Sequence, residues 1–426
     1  MTKSIFARPA FAAGIFARPA CAAAIAALVA ALGAGPAAAR VEGDKIILGS
    51  AISITGKYSQ EGKNAKDGYD FAVKRINDAG GVKVHGKTYK LEVKYYDDES
   101  TPARTAQLLE RLINQDGIKF VLGPYGSGPT KAAAPVVEKY KIPMVEAEGA
   151  SRSLFTQGYR YMFAALSTSE QYLSPVIELA AQLAEKHGRK PSDLKVAMSF
   201  ENDPFSLDVR AGVLDEIKKY GMKVVVDDKM PRDLSDVSAT LTKIKALKPD
   251  VILASGHTKG AITAARQMKE MSVNAPIVAL THCESADLTG KVGTASEGIL
   301  CPTQWAETLK YKDPLFGTAM DYYKAFMKAH PEYNDVPYQV AQASAVIQIW
   351  ADAFRRAQSF DTEKIRDTLA ATDMDTFYGH VKFAPEGNNV GKPMVLRQIQ
   401  DQKYVVVAPL KYAAEQVEFP RVVAQK

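Results

Sequence analysis

Apolar residues recur along this chain in two alternating rhythms: short apolar runs, then longer stretches in which apolar positions return every three or four residues. Residues 45–54 read as a strand. Residues 62–79 then set Ala65, Gly68, Tyr69, Ala72 and Ile76 on one face at helical spacing. A strand is expected over 91–96, and a helix over 101–115 with Pro102 tolerated in its first turn. A strand over 118–122, a helix reaching 140 and a strand over 142–145 complete a first series. A second begins after Thr168. It predicts helices over 168–186, 205–220, 235–247 and 258–271, alternating with strands over 194–199, 222–226, 251–254 and 277–280. Regular alternation of this kind argues for α/β units with parallel sheets covered by helices on both faces.

The rhythm then changes. Residues 314–329, 337–357 and 362–370 all read as helices, and strand-like segments come last, at 381–383, 394–400 and 404–407. Two α/β beads on a string would not end this way. Such a tail suits a chain that crosses between two α/β lobes more than once.

The first 39 residues stand apart. They hold Lys3, Arg8 and Arg18 and no acid, then an apolar run over 22–35, then Pro36-Ala37-Ala38-Ala39. That is the layout of a secretory signal peptide. The hexapeptide Ile-Phe-Ala-Arg-Pro-Ala occurs at 5–10 and again at 15–20, a duplication inside the leader. The apolar run is shorter than the roughly 20 residues of a spanning helix. Cys21 precedes that run and is not set in a lipobox. Cleavage near Ala39 would leave a soluble periplasmic protein.

Composition narrows the classes. Of 426 residues, 46% are hydrophobic and 24% charged, which excludes disorder and fibrous repeats. A net charge of +6 without a basic run gives no reason to expect nucleic acid. Three cysteines cannot build a four-cysteine zinc site. In an oxidising compartment Cys283 and Cys301 either close a disulfide, worth about 3 kcal/mol, or remain two buried thiols.

Ligands of such sheets sit at the carboxyl ends of strands. Three loops there are rich in small residues: Ser53-Ile54-Thr55-Gly56, the stretch 123–128 and Gly149-Ala150-Ser151. Small residues let backbone N–H groups approach a ligand, and the following helix adds a partial positive end, which favours an anion such as a carboxylate. Catalytic signatures are missing. The stretch 123–130 has the glycine spacing of a phosphate loop, but Pro129 stands where lysine is needed. No dinucleotide fingerprint follows the first strand and no nucleophile elbow occurs. The six histidines lack the paired spacing of a zinc protease, and His282-Cys283-Glu284 reads as an ordinary loop after a strand. Glu61, Glu146, Glu148 and Glu284 lie near the candidate loops, where they could form a general acid/base pair, stay solvated or, the preferred reading, partner a ligand cation. No catalytic residue, cofactor or metal is expected, and binding is the favoured role.

The residues that carry a resemblance are then 47–56, ending Ser53-Ile54-Thr55-Gly56; 68–81, ending Asn77-Asp78-Ala79-Gly80-Gly81; Tyr96-Asp97-Asp98 with Pro102; Val121-Leu122-Gly123-Pro124 with Ser127; and Ile142-Pro143 leading to Gly149-Ala150-Ser151. In this order and spacing the chain resembles the leucine/isoleucine/valine-binding family, the periplasmic solute-binding proteins of branched-chain-amino-acid ABC transporters. The likeness covers essentially the whole chain beyond the leader.

The resemblance implies a type I periplasmic binding fold. Two α/β lobes, each a mostly parallel sheet with helices on both faces, are joined by three crossing strands, and the ligand closes between them by a hinge motion. The lobes expected are 40–167 with 305–380, and 168–304 with 381–426. By position, Ser127, Gly149, Ala150 and Ser151 look like the ligand-carboxylate subsite. Glu61 stands where relatives often carry an aromatic residue, Phe205 resembles the aromatic cover from the second lobe, and His257 falls near a family aromatic. Trp305 and Tyr338 are candidates to line the cleft. One departure matters. Where amino-acid binders place a carboxylate for the ligand ammonium, this chain has His282, with Glu284 two residues on. Either Glu284 or Glu61 takes that role, or the ligand has no ammonium. The implied function is delivery of a small solute to a membrane permease driven by ATPase subunits, the binding protein itself a monomer. The alternative is a sensing module of the same fold that feeds a signalling partner.

Overall fold

The computed structural model describes residues 41–232 and 235–422; the expected leader lies outside them. The first series runs β1 (Val41–Glu42), β2 (Lys45–Ile52), α1 (Ser59–Asp78), β3 (Val82–Val84), β4 (Lys87–Asp97), α2 (Pro102–Asn114), β5 (Val121–Leu122), α3 (Ser127–Tyr140), β6 (Met144–Glu146) and β7 (Met162–Ala164). The second runs α4 (Ser174–Lys186), β8 (Lys195–Glu201), α5 (Pro204–Tyr220), β9 (Lys223–Met230), α6 (Ser238–Leu247), β10 (Val251–Ser255), α7 (Thr258–Glu270), β11 (Ile277–Leu280), α8 (Leu288–Val292) and β12 (Leu300–Thr303). The tail holds β13 (Lys312–Asp313), β14 (Gly317–Thr318), α9 (Ala319–Ala329), α10 (Tyr338–Ala357), α11 (Thr362–Ala370), β15 (Asp373–Thr376), β16 (Gly379–Lys382), β17 (Val395–Gln400) and β18 (Lys403–Ala408).

Two sheets result. The first has the order β3-β4-β2-β5-β6-β7, with β1 beside β2; the second is β18-β17-β12-β11-β10-β8-β9. The central pairs of both are parallel, and antiparallel pairing is confined to β1, β3 and the β12-β17-β18 side. Helices cover the sheets because their apolar stripes require it. On α1 that stripe is the expected Ala65, Gly68, Tyr69, Ala72 and Ile76, all buried. Gly68 lets α1 approach α10 closely, since a Cβ there would lie 2.3 Å from the Val340 carbonyl oxygen. Among the described residues no helix is long and apolar enough to cross a membrane.

Three expectations need correction. The helix expected from Thr168 onward begins at Ser174, because Ser169–Gln171 form a 3₁₀ turn and Pro175 occupies the first turn of the helix that follows. The helix expected over 314–329 begins at Ala319, because Asp313 accepts the Leu315 and Phe316 N–H groups and Thr318 with Asp321 forms a capping box. The strand expected over 381–383 is part of β16, which pairs with β15 in a separate ribbon instead of joining a main sheet.

The chain crosses between the sheets three times, and one residue from each crossing meets the others. Ser167 and Gln304 exchange two hydrogen bonds, of 3.0 and 2.9 Å. The Ser167 hydroxyl donates to the Lys392 carbonyl, and Lys392 Nζ donates to the Gln304 carbonyl at 2.6 Å. All three side chains are buried.

Candidate functional site

Residues just beyond the carboxyl ends of β5, β6, β7, β8, β10 and β11 meet around one pocket, so both sheets contribute to it. Tyr125, Gly126 and Ser127 come from the first of these loops, Glu148 and Ala150 from the second and Leu166 from the third. Phe205, His257 and His282 face them from the second lobe, and Tyr172, Tyr338 and Gln342 close the sides. The walls leave about 10 Å³, roughly the space one water needs. Rings dominate. Phe205 meets Tyr172 edge-on at 5.0 Å, with His257 at 5.6 Å and His282 at 5.3 Å.

Ser127 is the first residue of α3, whose partial positive end faces the site. Gly126 precedes it at φ +84°, a conformation open to glycine. The Ser127 hydroxyl oxygen accepts the Ser151 N–H at 2.9 Å. Glu146 shapes the next loop by accepting the N–H groups of Glu148 and Gly149. Burial pushes the Glu146 carboxyl up to about 8 against those two bonds. The Gly149 N–H is thereby committed, and its Cα packs on Thr130, where a Cβ would meet Oγ1 at 2.5 Å. Gly149 therefore shapes the loop while Ala150 reaches the pocket.

The structure places the other sequence candidates in three groups. Phe205, His257, His282 and Tyr338 line the pocket with Ser127 and Ala150. Glu61 and Ser151 instead tie the lobes together. Glu61 accepts the N–H of Thr258 at the start of α7. The Ser151 hydroxyl donates to Asp208 on α5, which also accepts the Ser153 N–H at 3.2 Å. Lys57 makes a third bridge, to Glu201 and the Arg232 carbonyl. Glu284 and Trp305 turn away. Glu284 pairs with the buried Arg397, which also binds Asp335 and Glu307. Trp305 packs edge-on against Tyr322 at 5.7 Å and donates its indole N–H to the Phe377 carbonyl at 3.0 Å. Cys283 and Cys301 are joined by a disulfide with Cα atoms 5.8 Å apart.

A hydrogen-bond chain runs behind the aromatic wall. Tyr125 Oη lies 3.0 Å from His257 Nδ1 and 3.1 Å from His282 Nε2, and His257 Nε2 lies 2.8 Å from Asp203. Glu201, Asp203 and His257 place donor atoms close enough to share a metal ion. Lys57 already meets the Glu201 charge and His257 that of Asp203.

Glu148, one of the acids expected near the candidate loops, does line the pocket, whereas Tyr125, Leu166, Tyr172 and Gln342 are pocket residues that the sequence reading did not select. Gln342 was within reach, one helical turn beyond Tyr338 on α10. Glu148 adjoins the Gly149-Ala150-Ser151 loop, and Tyr125 lies inside the small-residue stretch before Ser127. Tyr172 follows a 3₁₀ turn, Ser169–Gln171, with no periodicity to mark it.

Comparison with known proteins agrees with this geometry. The family model described as periplasmic binding protein matches residues 45–403. The leucine-, isoleucine-, valine-, threonine- and alanine-binding protein of Pseudomonas aeruginosa is 24% identical over 355 residues, covering 83% of this chain and 90% of its own. The branched-chain amino acid transporter substrate-binding protein LivJ of Streptococcus pneumoniae, solved with isoleucine, superposes with a TM-score of 0.73. It is 22% identical, over 86% of this chain and 100% of that one. A solute-binding protein of an ABC transporter from Rhodopseudomonas palustris, solved with 3,4-dihydroxybenzoic acid, gives 0.74 at 19% identity, over 89% and 98%. Family match, two parallel sheets and a pocket between them agree: the chain belongs to the periplasmic binding proteins, as a type I member of the Leu/Ile/Val-binding family.

Proposed function

We infer that this protein is the substrate-binding component of an ABC uptake transporter, exported after cleavage of its leader near Ala39. It takes a small carboxylate-bearing solute between its lobes and delivers it to a membrane permease. The observation that carries this reading is the pocket itself. Both lobes build it, and Ser127 stands in its wall at the amino end of α3. Relatives of this family bind amino acids, and structural neighbours hold isoleucine or a hydroxylated benzoic acid, all bearing a carboxylate. Binding draws the lobes together because the closed form offers the ligand contacts from both sides. The shift is set by the ligand's preference for that form.

A thermal-shift screen of refolded, ligand-stripped protein tests this. The panel holds α-amino acids, aromatic acids, short aliphatic acids and amides. A true ligand at 100 times its Kd adds about 2.7 kcal/mol, and Ser127→Ala reduces the effect. Silence across the whole panel, or stabilisation by amides alone, would sink the carboxylate reading.

A further inference from the structure

One acid in the pocket wall is only half satisfied. Glu148 stands two positions beyond the end of β6 and is 6% exposed. Its Oε2 accepts the Gln342 Nε2–H at 2.8 Å. The Gln342 side-chain oxygen in turn accepts the Tyr378 hydroxyl at 3.1 Å, which holds the amide with its nitrogen toward the acid. The other carboxyl oxygen, Oε1, is buried, belongs to a residue of the pocket wall and has no partner among the described residues. Burial opposes charge on Glu148, and Glu146 and Glu61 act on it as further acids. A cationic donor in the pocket supplies the two things Oε1 lacks, a hydrogen bond and an opposite charge.

Ser127 offers the opposite chemistry in the same wall. Its hydroxyl oxygen accepts the Ser151 N–H at 2.9 Å, which leaves its O–H to donate, and the amino end of α3 adds partial positive charge. Ser127 lies beyond β5 and Glu148 beyond β6, and these strands are hydrogen-bonded neighbours. Two adjacent strand ends of the first lobe thus carry a donor for an anion and an acceptor for a cation. The two acids first suspected of holding an ammonium do not line this pocket. Glu61 caps α7 through the Thr258 N–H, and Glu284 pairs with Arg397.

We propose that Glu148 decides selection in this pocket: its Oε1 accepts from the ammonium of a zwitterionic solute whose carboxylate lies at Ser127. The ammonium partner thereby moves from the second lobe, where His282 stands in place of the expected carboxylate, to the first. Both charged ends of the solute are held by one lobe, and Phe205, His257 and His282 of the other cover it. An acid without an ammonium brings a second negative group beside Glu148 and leaves Oε1 buried without a partner, which is disfavoured. Aromatic walls such as Tyr172 and Tyr338 also favour a cation over an anion. This assignment rests on the pocket being the solute site proposed above.

Titration calorimetry of the refolded full chain with two matched pairs tests it: leucine against 4-methylpentanoate, and phenylalanine against 3-phenylpropanoate. The members of each pair differ only in the ammonium. In the parent the amino acid should bind about tenfold to a hundredfold tighter than its desamino partner, the worth of one hydrogen bond to a charged group. Glu148→Gln keeps the side chain's shape and its contact with Gln342 and removes the charge. It should erase the preference by weakening the amino acid while the desamino acid binds as well as before or better. Ser127→Ala should instead weaken both members of a pair alike. The parent ratio decides by itself where a variant does not fold. A desamino acid that binds the parent as tightly as its amino acid would overturn the assignment and leave the solute-binding reading standing. So would an undiminished preference in Glu148→Gln. Silence from all four compounds overturns the assignment too, and the wider panel above decides separately whether the pocket is a solute site.

Discussion

The Glu61 carboxylate accepts the backbone N–H of Thr258 at 2.9 Å, and the two residues belong to opposite lobes. Glu61 sits in the first turn of α1, and Thr258 opens α7, so an anion from one lobe caps a helix of the other. The contact exists only when the lobes are together. Glu61→Ala should therefore weaken ligand affinity although Glu61 is not in the pocket wall. A hydrogen bond to a charged group is worth about 1.5–3 kcal/mol, and water recovers part of that in the open form. Calorimetry should read a loss of about fivefold to tenfold, and small-angle scattering of the variant should show a more open average. An unchanged Kd would mean that closure does not use this contact.

Glu61 also marks where sequence reasoning runs out. The first series was legible because its apolar periods switch cleanly between strand and helix, and the α1 stripe from Ala65 to Ile76 is buried as that spacing requires. Ser127 and Ala150 were legible because they sit on short loops at strand ends. Glu61 and Glu284 were indistinguishable at that level, since both are acids near a candidate loop. Their separate fates depend on Thr258, 197 positions away, and Arg397, 113 positions away. No local pattern reports such partners. The capping box at Thr318 and Asp321 was visible in principle, and it would have moved the start of α9 from 314 to 319.

The Cys283–Cys301 disulfide closes a loop of 18 positions that begins beside His282. In the chain-entropy account a loop of this length restrains the unfolded chain by about 3 kcal/mol. Reduction, or Cys283→Ala with Cys301→Ala, should lower the midpoint of unfolding by several degrees. Affinity should fall as well, because the bond pins the residue next to His282. Calorimetric scans with and without reductant measure the first effect. An identical midpoint in both would show that the bond is absent or idle in solution.

Arg397 is the buried cation of a four-member cluster, with Glu284 at 3.5 Å, Asp335 at 3.3 Å and Glu307 closer still. Burial opposes ionisation of Glu284, and Arg397 pulls the other way, leaving its carboxyl at about 7. Arg397→Leu leaves those acids facing one another without their partner. Loss of one member of a buried ion pair costs about 3–5 kcal/mol. Urea unfolding should place Arg397→Leu that far below the parent at pH 7.5 and nearer to it at pH 5.5, where the orphaned acids take up protons. A variant as stable as the parent at pH 7.5 would contradict the burial of these charges.

Glu146 supplies the last test, in which sign matters more than size. Its folded value of about 8 lies above the 4.5 of an unfolded glutamate, and burial is the cause. The folded protein therefore binds more protons than the unfolded chain between those two values. The stability from this group is fully present below about 4.5 and is lost as pH rises through about 8. Glu146→Gln keeps an acceptor for the N–H groups of Glu148 and Gly149 and removes the titration. The variant should match the parent at low pH and become progressively more stable than it between pH 5 and 8. Comparing the two proteins cancels other groups that titrate in the same window, among them Glu284 and Lys392, each at about 7. Urea midpoints at pH 5, 6, 7 and 8 give the difference directly. A gap that stays flat or narrows with rising pH would mean that the carboxyl is ionised in the folded protein, and that a charge, not a neutral acid, holds the loop beside Ser127.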